Sequence, residues 1–247
     1  MACHQRSTSL PSLPHSTESN VEQELQTLKA RISSPLATID TTCDGLRQLG
    51  DLYSCLEEML CLPSNQALTQ QRKMAEEELD RSLALIDLCS AMQESLAELK
   101  TGVQELRLVL RRGEDAAVQL KIVRLAKKAH KPLKKTTSKA TAEGCRVVRL
   151  MAEARETALS LLESVSRLLP EQIGGPNASK WSLVSKRFQK RKVMCEERQL
   201  RALERTMGDL GDGVGILFRR LIQSRVALLN ILSSSMLLMM HTFPICI

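Results

Sequence analysis

The sequence predicts an all-α protein: an elongated antiparallel bundle of long helices with coiled-coil-like spacing, preceded by a disordered N-terminal tail. Three observations carry this. From Leu85 to Leu110, apolar residues step 3-4-4-3-4-3-4 through Leu88, Met92, Leu96, Leu99, Val103 and Leu106. Every step returns to one side of a 3.6-residue helix, with Glu94, Glu98, Lys100, Glu105 and Arg107 on the other positions. Among 247 residues only five are aromatic, and β-branched alternating runs are missing, so sheet has little to build on. A stripe this long needs partners, which makes the stretch from about Leu79 to Arg112 the spine of a bundle.

Residues 1–17 hold no acid, two prolines and six Ser or Thr, and are read as the disordered tail. An organellar targeting peptide shares that composition, but this stretch is short and has a single Arg. Within it, Arg6, Ser9 and Pro11 match the pattern read by 14-3-3 proteins once the Ser is phosphorylated. The phosphate would add charge for an arginine cluster to grip.

Val21, Leu25, Leu28 and Ile32 form a first helix that Pro35 ends, and Ile39, Leu46, Leu49, Leu52, Leu56 and Leu60 a second. Leu62-Pro63-Ser64-Asn65 is a turn that caps the spine, which Arg111-Arg112-Gly113 stop with cations against the helix C-terminus. Glu114-Asp115 open a shorter helix that Pro132 interrupts. Val147, Met151, Ala154, Ala158, Leu161, Val165 and Leu168 form the stripe best matched to the spine, and the two are expected to pack antiparallel. Pro170 and Gly174-Gly175-Pro176-Asn177 should break the chain. The last helix carries Val214, Leu217, Phe218, Leu221, Ile222, Val226, Leu229 and Leu232, with Gly208 and Gly211 loosening it before a restart after Asp212. Residues 18–235 are thus one bundle domain, with 170–179 as a potential break and 236–247 as a loose apolar tail. A tail anchor is the competing reading of the 22 uncharged residues after Arg225, though Asn230, three serines, His241 and Pro244 interrupt them.

The net charge of +7 is local. Ala116–Ala142 contains eight Lys or Arg and Gln172–Cys195 six, neither with an acid; the remainder of the chain holds 21 bases against 28 acids. In the first block, Lys127, Lys128, Lys134 and Lys135 suit a nuclear localisation signal, an anionic lipid or nucleic-acid patch, or an ordinary solvated face. Without interleaved aromatics, nucleic-acid binding is disfavoured. In the second block, Trp181, Phe188 and Met194 stand at positions 1, 8 and 14 among Lys186, Arg187, Lys190, Arg191 and Lys192. That is the anchor spacing of one class of calmodulin target, since calmodulin's acidic, Met-rich grooves take widely spaced apolar anchors. Membrane-surface contact and simple packing compete with it.

Eight cysteines form no CxxC pair, and within the helical body no His stands at metal-ligand spacing from them, so a reducing compartment without disulfides, zinc or cofactor is expected. The glycines at 208, 211, 213 and 215 follow no strand and precede no Lys-Ser/Thr, which removes a phosphate loop. Four scattered histidines sit in no nucleophile or metal motif, and no catalytic constellation is found.

Three passages, HQRSTSLPSLPH, CDGLRQLGDLYSCLEEMLCLP with ELDRSLALIDLC, and GVGILFRRLIQSRVALLNIL, resemble in order and over nearly the whole chain the plant BYPASS-like proteins. The resemblance implies a helical plant protein linked to root and shoot development, in which a family member restrains a mobile root-derived signal. It also implies no assigned enzyme activity and supplies no catalytic residues. Arg6-Ser7, Ser9-Leu10-Pro11 and His15 match the family's N-terminal pattern, whereas SSSMLLMMHTFPICI after Leu232 departs from its usual ending. The reading is a non-enzymatic regulatory or adaptor protein acting through protein contacts, with oligomeric state open. Its alternative is a peripheral membrane protein that uses the basic blocks and apolar terminus. A cytoplasmic location is expected, with nuclear, organellar and membrane-peripheral locations open.

Overall fold

A computed structural model of the chain describes residues 14–61, 72–113, 146–174 and 189–242, with side chains described over 18–61, 72–113, 146–173 and 197–233. The regular structure of the described residues is α-helix: α1 (Pro14–Ile32), α2 (Ile39–Leu60), α3 (Arg72–Arg112), α4 (Arg146–Gly174) and α5 (Gln189–Thr242).

Local sequence accounts for most boundaries. Pro14 opens α1, where its fixed φ suits the first turn and its missing N–H is one that a helix end leaves unpaired. The helix therefore starts inside the segment expected to be tail; residues 1–13 lie outside the described residues. α2 begins with a reciprocal cap: the Thr41 N–H donates to the Thr38 hydroxyl at 3.2 Å, and the Thr38 N–H donates to the Thr41 hydroxyl at 2.8 Å. α3 ends at Gly113, whose φ of +74° is the left-handed cap that glycine adopts without strain. The Leu62–Asn65 turn and the helix expected after Glu114 lie outside the described residues.

α2, α5, α3 and α4 close into a four-helix ring in that order, and α1 lies in the outer groove between α2 and α4. α3 and α5 are antiparallel and in register. Arg111 meets Glu197, Lys100 approaches Gly208, Gln93 approaches Gly215, and Arg225 reaches Leu79. α2 runs with α5, since Leu46 faces Gly213 and Gly50 faces Ile216. α1 runs with α4, with Glu18 and Glu22 against Arg146 and Lys29 against Glu153. The order is up, down, up, up, down.

This corrects the expected partner of the spine. α3 packs chiefly on α5, and α4 packs chiefly on α2; α3 and α4 touch as parallel neighbours, and a connection of 32 residues between Gly113 and Arg146 permits that. Stripe similarity says that two helices both need burial, and nothing about which buries which.

The sequence-read stripes of α1, α2 and α3 are buried, with Leu88 only partly covered. Two expected breaks are absent. α4 continues through Pro170 to Gly174, with Leu169 buried, so one lost hydrogen bond near the helix end is outweighed by packing. α5 passes unbroken through Gly208 and Gly211, because Met207, Leu210 and Val214 around them are buried in the core, while Gly213 serves close approach: a Cβ there would stand 3.1 Å from Leu46 Cβ. Its helical backbone also continues past Leu232 to Thr242, into the segment expected to be loose. Ile222, Val226 and Leu229, read as core, are instead 39 %, 50 % and 43 % exposed.

A Cβ on Gly50 would lie 2.6 Å from the branched methyl Cγ2 of Ile216, whereas nothing stands within 4 Å of one on Gly211. Gly211→Ala is therefore expected to stabilise the fold by up to about 1 kcal/mol through helix propensity. Gly50→Ala should lose that gain to overpacking and destabilise by about 1–2 kcal/mol. Urea unfolding of the two variants checks the contrast; equal effects would contradict it.

Candidate functional site

The heptad phase that buries α3 extends below Leu85 to Ser82 and Glu78, and the phase that buries α4 passes through Met151, Arg155 and Ala158. Charged residues therefore occupy core positions on two neighbouring helices, and they meet. Arg155 Nε donates to Glu78 Oε1 at 3.1 Å, with side chains 3 % and 4 % exposed. Tyr53 of α2, itself 2 % exposed, lies within electrostatic reach of both charges. Arg225 of α5 closes the layer by donating to the Leu79 carbonyl and to the Ser82 hydroxyl. All four ring helices thus contribute to one buried polar layer.

Burial pushes the Glu78 carboxyl up to about 7, because desolvation opposes its ionisation more than the Arg155 guanidinium favours it. Burial also holds the Tyr53 hydroxyl well above its usual range and pushes the Cys89 thiol up to about 12 and Cys43 to about 11. Both thiols stay protonated and act as small hydrophobes. Glu78, Arg155, Tyr53 and Ser82 are buried within the protein, which makes the layer a structural device that fixes how the helices seat.

The surface chemistry is at the far end of the α3–α5 pair. There Glu197 accepts from Arg111 at 2.6 Å and from Arg201 at 2.8 Å, which holds its carboxyl down at about 2. Glu204 accepts from Gln104 at 2.7 Å and from Arg107, and these bonds lower its carboxyl as well. Leu106, Val109 and Leu110 pack with Leu200 beneath this clasp, apart from the main core. Arg112, Arg198, Arg201 and Arg205 remain exposed around it.

The second basic block joins the bundle at this end, since α4 finishes here at Gly174 and α5 starts here at Gln189. Lys190, Arg191, Lys192 and Met194 fall in the opening turns of α5, where no acid complements the helix dipole. Their side chains lie outside the described residues, as do Trp181, Lys186, Arg187 and Phe188. Lys127, Lys128, Lys134 and Lys135 of the first block, and Arg6, Ser9 and Pro11 of the tail, also lie outside them. The sequence reading passed over Glu78, Arg155 and the Glu197–Glu204 clasp. The signal for the buried pair was present, because both residues continue a heptad phase already visible.

Replacing Glu78 by Leu alone leaves Arg155 buried without its carboxylate, and should destabilise by about 3–5 kcal/mol. Joining it with Arg155→Met is expected to restore most of that loss, measured by urea unfolding. The pH dependence has a defined sign. Folding raises the Glu78 pKa from 4.5 to about 7, so the folded chain binds the proton more tightly and this group's contribution to stability falls as pH rises through that window. Glu78→Gln should flatten the slope.

Against known proteins, no curated protein and no solved structure matches the chain. A family model described as Protein BPS1 matches residues 45–231, from within α2 to the last turns of the α5 core, and so includes all four ring helices. This is the BYPASS1 family that the three sequence blocks resemble. The chain belongs to the BPS1 family, which marks it as a plant protein connected with development whose biochemical activity is not defined.

Proposed function

We propose that this chain is a non-enzymatic adaptor in plant development that acts by holding acidic protein partners. The observation that carries the reading is the cationic end of the α3–α5 pair. Two long helices are clasped there by Glu197 and Glu204, while Arg112, Arg198, Arg201 and Arg205 stay exposed beside the attachment points of the second basic block. Cations on a rigid platform attract an acidic partner with little ordering cost. The Trp181, Phe188 and Met194 anchors would supply apolar grip on a groove such as that of calmodulin. The Arg6–Ser9–Pro11 tail would supply a separate, phosphorylation-dependent contact of the 14-3-3 type.

The same exposed arginines suit an anionic membrane surface, which is the alternative. No helix among the described residues is long and apolar enough to cross a membrane, so such binding would be peripheral.

Two variants test the proposal. Replacing Lys186, Arg187, Lys190, Arg191 and Lys192 by Gln should lower calmodulin affinity at least tenfold and leave thermal unfolding unchanged. Ser9→Ala should abolish 14-3-3 capture by phosphorylated chain. Unchanged binding in both would overturn the proposal, and salt-sensitive sedimentation with anionic vesicles would then favour the membrane reading.

A further inference from the structure

The solvent-side seam between α3 and α5 changes character along its length. At the cationic end it is closed by Arg111–Glu197 and Arg107–Glu204, and further along by Lys100 over Gly208 and Gln93 over Gly215. Seven-residue steps from Gly208 and Gly215 along the same track of α5 lead to Ile222 and Leu229, with Val226 one turn from each. Here Arg225 bridges α5 to Leu79 and Ser82 of α3, and Ile222, Val226 and Leu229 stand exposed beside that bridge. Beside it on α3, next to the Ser82 that binds Arg225, Leu83 is 47 % exposed. Ile222, Val226, Leu229 and Leu83 therefore form one apolar ridge across two helices.

The charges on its two sides differ. On the α3 side, Asp80 and Asp87 lie within one turn of Leu83, both exposed and neither ion-paired among the described residues. On the α5 side, the chain carries no acid after Asp212, and the exposed Arg219 lies one turn before Ile222 and two turns before Val226 on the same face. A lipid surface attracted by this arginine would meet the aspartates as well. A second copy of this chain fits both.

We infer that this ridge is a homodimer interface with its two-fold axis parallel to the helices. That operator lays α3 of one copy on α5 of the other. Because Leu83 and Val226 are level in the α3–α5 register, each Leu83 then meets the partner's Val226, and each Asp87 faces the partner's Arg219. A two-fold across the helices would instead set α3 on α3 and acid on acid. From Ile222 to Leu229 the ridge rises roughly 10 Å, so the interface lies at the small, weak end of specific interfaces and a micromolar dimer is expected. The inference is independent of what the basic end binds, since the two surfaces lie at opposite ends of the α3–α5 pair.

Sedimentation equilibrium of the full chain from about 1 to 100 µM tests it, a range that brackets a micromolar Kd. The mass should rise with concentration from 27.5 kDa toward twice that value. Val226→Glu and Asp87→Arg should each weaken the dimer at least tenfold while circular dichroism keeps its helical signal. Combining Asp87→Arg with Arg219→Asp should restore the dimer to within a few-fold of wild type. Wild type that stays monomeric throughout, a dimer indifferent to Val226→Glu, or a charge swap that fails to restore it would each overturn the inference.

Discussion

The distance between α2 and its neighbours is the constraint on which the rest of the bundle depends. Gly45 accepts Leu161 of α4 and Leu28 of α1 against its backbone, and Gly50 accepts Ile216 of α5 in the same way. Gly213 returns the arrangement from the α5 side by admitting Leu46. With a Cβ at these points α2 would stand off, and the ring would open along the two seams that α2 shares with α4 and α5. Elsewhere the helices meet through ordinary Leu, Val and Ala contacts, which tolerate small shifts.

Within that ring the polar layer works differently from the apolar one. Leucines in heptad phase reward burial and have little preference for one neighbour over another. Glu78 and Arg155 do have a preference, because a seating that parts them leaves a charge buried without a partner. Arg225, tied to Leu79 and Ser82, sets α5 along α3 for the same reason. The connection between α3 and α4 leaves the chain free to place these helices in several ways. The buried pair is what distinguishes the observed parallel placement from the antiparallel one that stripe matching favours. The α3–α5 pair then runs beyond α2 at both ends, and there its surface diverges into an arginine-rich end and an apolar one.

The helices and their buried faces were legible in the sequence, since 3.6-residue periodicity is a local property and Val21–Ile32, Ile39–Leu60 and Leu85–Leu110 follow it closely. The family was legible too, because its blocks are contiguous. Pairing was not, because α3 and α4 have similar stripes and the decisive groups, Glu78 and Arg155, look like ordinary surface charges until the heptad phase is extended through them. Gly208, Gly211 and Pro170 misled for a related reason: each reads as a breaker locally, and packing of the helix around it overrides that. Ile222, Val226 and Leu229 look like core because their neighbours are core, and only the position of α3 shows that they lie on its solvent side.

The central claim is that α3 and α4 run parallel inside a ring closed through α2 and α5. Spin labels at Lys73, near the start of α3, and at either Arg149 or Glu171, near the two ends of α4, test it directly when introduced as cysteines in a chain cleared of its native thiols. Parallel helices predict that the 73–149 distance is shorter than the 73–171 distance by roughly 20 Å, from the helix rise between the two α4 sites and the spacing of neighbouring helices. The reverse order would mean that α4 lies antiparallel to α3 and would contradict the account.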